Sequence, residues 1–599
     1  MARIIQSRDV PSLLESGGLD ANETHWAYNA LDSAVTLRVH ERLTQTLRSQ
    51  NTPHASTSYS FVRAMQAPAL AMMRRGIAVN AKVRQDETER FTALRDRAQS
   101  LLDRLADAVW GPEPYIERVR VREMHTPMGK RGQPLSPRLR TVVTETPRTR
   151  QRGLNAGSNV QCLAFFNIAL RLPVHHELRK TPAGTIRTPT ANDKTLRKWA
   201  TARMKGPGID VRNRTVHPTT LAQPFVSLIL SIRDADKLLG VLRTPLDPDG
   251  RMRCSYNVVG TESGRWSSSK NAFGRGTNLQ NITPTMRRMF CADDDHWLVS
   301  TDLEQAESRV VGGLVWQSTG DRTYLDACLS SDLHTQVGRM SWPELEWTDD
   351  LAHNRSVADA PCKDHKEYTY REVAKRIGHG SNYRGSAFGI SQAVGIPSYV
   401  VEDFQRRYFL AFNAIAGWHK LVQTQLQSDG YLDTPLHRRR HFFSRPNEDS
   451  TLREAIAFGP QSTVAELLNL IMYKCWERSI LPSDDPRHLP IQLLLQNHDA
   501  FAFQVPTSAS LADTITQVNV IFLSTSSPLS RAGQHEALNI PGEFVTGFNW
   551  AYADKGQDRS KWSFNDGNPD GLRKWLGSDT RVRVQSATPS FGDWLGRRP

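Results

Sequence analysis

Apolar positions recur with two distinct periods along this chain. From His25 to Leu43, "HWAYNALDSAVTLRVHERL" spaces its apolar residues near 3.6 and reads as a helix. Residues 59–110 read as long helices ending near Gly111, and helix returns over 154–245, including "PFVSLILSIRDADKLLGVL". Residues 250–310 alternate strands and turns, 330–430 are mostly helical, and 430–550 mix the two. After about residue 552 the chain becomes polar, rich in Asp, Gly, Arg and Trp, and no internal repeat is evident. One stretch combines both signals around a polar tip. In "LLLQNHDAFAFQV", Leu493–Leu495 lead in and Phe501, Phe503 and Val505 alternate on the way out, a buried β-hairpin with His498 and Asp499 near its turn. A buried carboxylate is costly unless something positive meets it. A plain turn aspartate is the alternative.

Composition narrows the class. A chain of 599 residues is too long for one core and implies several domains. The formal net charge of +14 points to a polyanionic partner, most often nucleic acid. Residues 111–153 concentrate that charge: between Arg118 and Arg152 ten Lys or Arg stand against two acids, Glu123 and Glu145. This Pro- and Arg-rich stretch reads either as a solvated loop or as an insertion contacting a duplex or another partner. The six cysteines are scattered without a CxxC pair, as expected of reduced core residues rather than a disulfide frame or zinc site. No signal peptide and no apolar run of about 18 residues is present, so a membrane role is not expected. The expected location is the cytoplasm.

Candidate chemistry lies in two further segments. In "HWLVSTDLEQAESRVVGGL", Trp297–Thr301 read as a strand ending in Asp302, and Glu304–Leu314 continue as a helix. A strand-end carboxylate of this kind suits Mg²⁺, which takes hard oxygen ligands, commonly one or two carboxylates plus substrate phosphates. Two such ions, roughly 3.5–4 Å apart, clamp the attacking and leaving oxygens of a phosphoryl transfer. Asp302 and Asp499 can share this work only in a fold that sets their strands side by side. In "REVAKRIGHGSNYRG", Arg371, Lys375, His379 and Tyr383 recur every fourth residue and share a helix face. Two cations, an imidazole and a phenol make a poor core stripe and a good phosphate and base surface. An exposed amphipathic helix is the plain alternative.

These segments resemble motifs of the family A DNA polymerases, the relatives of bacterial DNA polymerase I and several phage replicative polymerases. "DLEQAESR" (Asp302–Arg309), the R-x3-K-x3-H-x3-Y stripe and "HDA" (His498–Ala500) look like motifs A, B and C. "TESGRWSS" (Thr261–Ser268), "NLQNI" (Asn278–Ile282), "DLH" (Asp332–His334), "REAIAFGPQSTVAE" (Arg453–Glu466) and "QAPALAMMRRGIAVN" (Gln66–Asn80) follow family segments in the same order. The resemblance covers roughly residues 20–550. It implies an α+β right-hand fold with helical thumb, helical fingers and an antiparallel β-sheet palm. The implied organisation is a remnant of an exonuclease domain's C-terminus (1–55), thumb (56–245, with the basic insertion at 111–153), palm (246–330), fingers (331–430), palm again (431–552) and a C-terminal tail (553–599).

The resemblance also implies the activity: template-directed addition of dNTPs to a primer 3′-OH with release of pyrophosphate. Asp302 and Asp499 would hold two Mg²⁺, with Mn²⁺ as a substitute. Arg371 and Lys375 would grip the triphosphate, and Lys375 could protonate the leaving pyrophosphate. Gln305, Glu307, His334, His379 and Tyr383 would complete the dNTP site, Glu307 crowding a 2′-OH and Tyr383 stacking near the templating base. Arg265, Asn278, Gln280, Asn281, Arg384, Arg453, Gln461 and His498 would contact primer–template DNA, several of them in the minor groove, where shared acceptors report pair geometry rather than sequence.

Departures from the pattern are specific. His379 stands where the family has Phe or Tyr, Arg384 where it has Gly, Ala500 in place of a Glu, and Leu303–Glu304 in place of Tyr-Ser. They put sugar discrimination and metal support in doubt. Near the N-terminus only "YNALD" (Tyr28–Asp32) resembles an exonuclease motif, so the expectation is no intrinsic proofreading and a remnant helix packed on the polymerase body, or a separate exonuclease or replisome partner docking there. Two other functions compete: a non-catalytic primer–template binder, for which Ala500 is the best support, and a single-subunit RNA polymerase.

Overall fold

The computed structural model describes residues 21–525, 540–551 and 561–563, apart from short breaks at 50–52, 112, 129–131, 135, 151–152, 182–183, 202–208, 212–213, 217, 272, 331 and 366. The expected C-terminal tail therefore lies outside the described residues except for 561–563. Two units emerge: one takes the chain up to residue 78 and again from 246, the other spans 79–245.

The first unit opens with two helices, α1 (Ala21–Ser49) and α2 (Pro53–Arg75). In α1 the side chains of Trp26, Leu31, Val35, Leu37, Val39 and Leu43 are exposed, which departs from the expected packing of this helix on the body. The reason is geometric. These positions drift around the helix instead of forming one continuous stripe. Helix α2 is tied into the unit: Ser58 Oγ donates to the His437 carbonyl at 2.8 Å and Arg75 Nη1 to Gln492 Oε1 at 2.5 Å. The second unit begins at Val79.

The second unit begins with α3 (Ala81–Trp110), where Asn80 accepts a hydrogen bond from the Val83 amide at the N-cap and Gly111, at φ 71°, ends the helix. Next come two paired strands, β1 (Glu113–His125) and β2 (Arg138–Arg150), antiparallel over their whole length. The segment read as a solvated loop or a contacting insertion is thus a long hairpin. Its β-branched residues (Val119, Val121, Thr141, Val142, Val143 and Thr144) favour extended backbone, and Pro127, Pro134 and Pro137 gather in the connection. Helix α4 (Pro218–Leu242) lies along α3, with Arg84 donating to the carbonyls of Leu242 and Thr244 at 2.6 and 2.7 Å. Phe165, Phe166, Trp199 and Phe225 fill the core beneath.

The first unit resumes with β3 (His296–Leu303), α5 (Ala306–Thr319), α6 (Leu333–Ser341), α7 (Tyr370–Asn382) and α8 (Asp449–Ser479). Strands β4 (Gln492–Asn497), β5 (Ala500–Pro506), β6 (Gly542–Gly547) and β7 (Lys561–Ser563) follow. The sheet runs β4-β5-β3-β6-β7 and every neighbouring pair is antiparallel. Leu298, Val299, Phe501 and Phe503 are fully buried in it; Leu298 and Val299 are consecutive and point to opposite faces, so the sheet is covered on both sides there. A separate helical cluster holds Val373, Ile377, Phe404, Tyr408 and Ile415. Helices around an antiparallel sheet make this an α+β fold. Among the described residues no helix is long and apolar enough to cross a membrane.

Candidate active site

Strand β3 is central, flanked by β5 and β6, and this position decides what meets Asp302. The register sets Asp302 opposite Ala500 on one side and opposite Glu543 on the other. Asp499 precedes Ala500 in the two-residue connection from β4 to β5, where His498 adopts a left-handed φ of 57°. The Gln496 side chain donates from Nε2 to the His498 carbonyl at 2.7 Å and braces this turn. A β-strand ending in a carboxylate next to a tight hairpin turn therefore brings two acids that are remote in sequence to one edge of the sheet.

Facing them is α7. A capping box starts it: the Thr369 side chain accepts from the Glu372 amide at 3.2 Å, and Glu372 Oε2 accepts from the Thr369 amide at 3.0 Å. Val373, Ala374 and Ile377 bury one side of the helix, which leaves Arg371, Lys375 and His379 for the other. Those three residues line a single cavity of about 930 Å³ together with Asp302, Gln305, Glu307, His334, Asp499 and Glu543. The cavity has an acidic wall on the sheet and a cationic wall on the helix.

Several expected roles are modified by the contacts. Arg371 is not a bare phosphate grip. Its Nε and Nη2 fork onto Asp332 at 2.6 and 3.0 Å. Asp332 also accepts from Arg355 Nη1 and Thr335 Oγ1, both at 2.9 Å, and caps α6. Burial alone would raise the Asp332 pKa, but the Arg371 fork holds it below the usual carboxylate range. Burial likewise works against the Arg371 charge, and Asp332 outweighs it.

Glu307 is engaged from two sides: Arg265 Nη2 lies 3.1 Å from Oε1 and His379 Nδ1 lies 3.4 Å from Oε2. Burial lowers the pKa of His379, with Glu307 opposing, and brings that of His334 down to about 3, with His379 beside it. The two rings are 5.9 Å apart. Tyr383 ends α7 and packs against the helical cluster, and burial, with Glu307 adding to it, raises its phenol pKa. Gln305 takes a left-handed φ of 50°, and its buried Oε1 has no hydrogen-bond partner among the described residues. A strained backbone beside an unsatisfied polar atom is what a site kept for a ligand shows.

The remaining candidates do not line the cavity. Asn278 accepts from the Gln280 amide at 2.9 Å and from Ser268 Oγ at 2.5 Å, so its side chain serves the local turn. Gln280 is buried and bonds to Gln496. Arg384 and Arg453 both approach Asp449 at the start of α8, Arg384 from 3.9 Å. Asn281 and Gln461 stay apart from the acids; Asn281 is exposed and Gln461 half-buried on α8.

The residue that sequence reasoning missed is Glu543. It lies in "GEFVTG", a short strand without a motif, and only its pairing with β3 brings it to Asp302. Among the described residues no group of three or more His, Cys, Asp or Glu is arranged to hold a metal ion by itself. A pair of carboxylates completed by a substrate's phosphate oxygens is the arrangement that Mg²⁺ accepts, and the hard oxygen donors here fit it.

Comparison with known proteins agrees with this geometry. A family model described as DNA polymerase family A matches residues 204–521. The chain is 30% identical over 301 residues to a thermostable DNA polymerase I from Thermus filiformis, and 29% identical over 302 residues to a DNA polymerase I from Treponema pallidum. Each match takes 48% of this chain but only 32% and 27% of those proteins, so the chain spans about a third of the length of these relatives. The polymerase domain of Pol1 from M. smegmatis, solved with DNA primer-template and dNTP, superposes with a TM-score of 0.56 over 82% of this chain and 70% of that one, at 20% identity, a likeness of fold. With more than half of its length matched, this chain belongs to DNA polymerase family A.

Proposed function

We propose that this chain catalyses template-directed DNA synthesis, transferring the α-phosphoryl group of a dNTP to a primer 3′-OH and releasing pyrophosphate. The observation that carries the reading is the cavity in which Asp302 and Asp499 on the sheet face Arg371 and Lys375 on α7. Asp302 and Asp499 would hold Mg²⁺, with Glu543 a third oxygen donor in reach of the same edge. Bound there, the ion supplies a Lewis acid for phosphoryl transfer.

The chain's own residues do the rest. Lys375 lies on the cationic wall one helical turn beyond Arg371, placed to neutralise phosphate charge and to give a proton to the leaving pyrophosphate. Arg371 is oriented by the Asp332 fork, which uses two of its five N–H donors, so the other three can turn to a triphosphate. Glu307, held between Arg265 and His379, is the residue that would crowd a 2′-OH and favour dNTPs. Burial disfavours the charged form of the His379 ring, which would offer the sugar a flat polar surface instead of a phenyl one. A place in phage DNA replication belongs to the same reading and is supported by the unusual residues His379 and Arg384 in the fingers segment.

A primer-extension assay with Mg²⁺ and dNTPs tests the proposal. Wild type should extend the primer, and Asp302→Ala should abolish extension while keeping DNA affinity. Equal activity of the two proteins would refute the assigned chemistry.

A further inference from the structure

The hairpin β1–β2 lies outside the residues matched by the family model and takes no part in the cavity. It is a two-stranded ribbon, with thirteen residues in each strand and, among the described residues, no third strand paired to it. Its length is roughly 40 Å by the usual rise per residue. Met124, Leu139 and Val143 are all exposed, so no core supports the described part of the ribbon. An isolated pair of strands is marginal in water, and such a ribbon gains from a partner that lies along it.

Charge identifies that partner. Between Glu113 and Arg150 nine Lys or Arg stand against four Glu. The register sets no acid directly across from three of these cations: Arg120 stands opposite Val143, Arg122 opposite Thr141 and Arg138 opposite His125. Arg120 and Arg122 occupy alternate positions, a repeat of about 6.7 Å along the strand. The composition also separates the kinds of nucleic acid. Single strands are held by stacking on aromatic rings, and this segment has one, Tyr115. Adenine edges are read by Asn and Gln, and it has one Gln and no Asn; its Arg and Lys side chains suit phosphates and guanine edges alike. A two-stranded ribbon has the width that a major groove admits, where the flanking phosphates of a duplex meet such side chains whatever the sequence.

We propose that β1–β2 is a second DNA-binding element, which grips the phosphate backbone of double-stranded DNA without sequence preference. The proposal rests on the polymerase reading for its biological sense and deepens it by adding a contact remote from the catalytic acids in sequence.

The test is the salt dependence of binding to a labelled duplex capped by hairpin loops at both ends, which offers no primer terminus. The variant Arg120→Gln/Arg122→Gln/Arg138→Gln removes charges that have no acid opposite them, and the matching Arg→Lys variant restores charge on the same backbone. Each lost phosphate contact should flatten the slope of log K against log salt by about 0.9, so the Gln variant should lose roughly 2–3 units and bind about tenfold or more weakly near 0.15 M salt. The Lys variant should recover most of the slope, and primer extension at saturating DNA should be unchanged in both. A slope equal to wild type overturns the proposal and leaves the ribbon to an acidic protein surface. An equal loss on the single strand overturns the assignment to duplex. If wild type fails to extend primers, the polymerase reading falls, while the slope comparison still decides the ribbon.

Discussion

Asp302 stands directly opposite Glu543 across the β3–β6 pair, and opposite Ala500 across β3–β5. Directly opposed residues keep their Cβ atoms about 4.5–5.5 Å apart, on one face of the sheet. The acid that the family carries after the motif C aspartate is absent at Ala500, and another acid reaches the same edge from the other side.

That relationship predicts a measurable dependence on Mg²⁺. If Glu543 supports the metal-holding pair from outside, Glu543→Gln should weaken apparent Mg²⁺ affinity or activity by about 10–100-fold. Primer extension should recover as Mg²⁺ is raised. A titration curve superposing on wild type would remove Glu543 from the site.

The Arg371–Asp332 fork predicts both a pH effect and a substrate effect. The Asp332 pKa is depressed in the folded protein. Its contribution to stability is therefore present above the ordinary carboxylate pKa, about 4, and is lost as pH falls through the lower folded value. Asp332→Asn keeps a capping oxygen but removes the charge, at a cost of about 1.5–3 kcal/mol. Thermal melts below pH 5 should show a weaker acid dependence for the variant than for wild type. Its KM for dNTP should rise, because Arg371 loses its orientation; an unchanged KM would separate Arg371 from the nucleotide.

Glu307 predicts sugar selectivity. Glu307→Ala should raise the relative kcat/KM for rNTPs by roughly 10–200-fold, the range open to steric discrimination of this size. His379→Phe removes the 3.4 Å contact to Glu307 and should shift the same ratio by less. Ratios identical to wild type in both variants would remove the gate.

The folded state has its own test in Glu466, which is 1% exposed and meets Thr434 Oγ1 at 2.7 Å and Arg438 Nε at 3.1 Å. Glu466→Ala strands the Arg438 cation and should cost about 3–5 kcal/mol. Chemical denaturation measures it, and a loss under 1 kcal/mol would mean that water replaces the carboxylate.

Much of the local structure was legible along the chain. The period-two run around Phe501 and Phe503 specified a buried hairpin, the strand running into Asp302 specified an acid near a strand end, and the repeat from Arg371 put Arg371, Lys375 and His379 on one helix face, though Tyr383 lies past the helix end. These are properties of neighbours in sequence, set by backbone geometry that every residue shares. The basic stretch at 111–153 was legible as charge but not as a ribbon, because strand formation there depends on pairing across a connection.

Sequence by itself thus determined the elements and the two acids worth bringing together. Only tertiary structure decided that β3 lies between β5 and β6, that Glu543 joins Asp302, that Asp332 occupies Arg371, and that Asn278 and Gln280 serve internal bonds. The physical reason is competition. A side chain's donors and acceptors go to whichever partner the fold brings within about 3 Å, and no local spacing states who that partner will be.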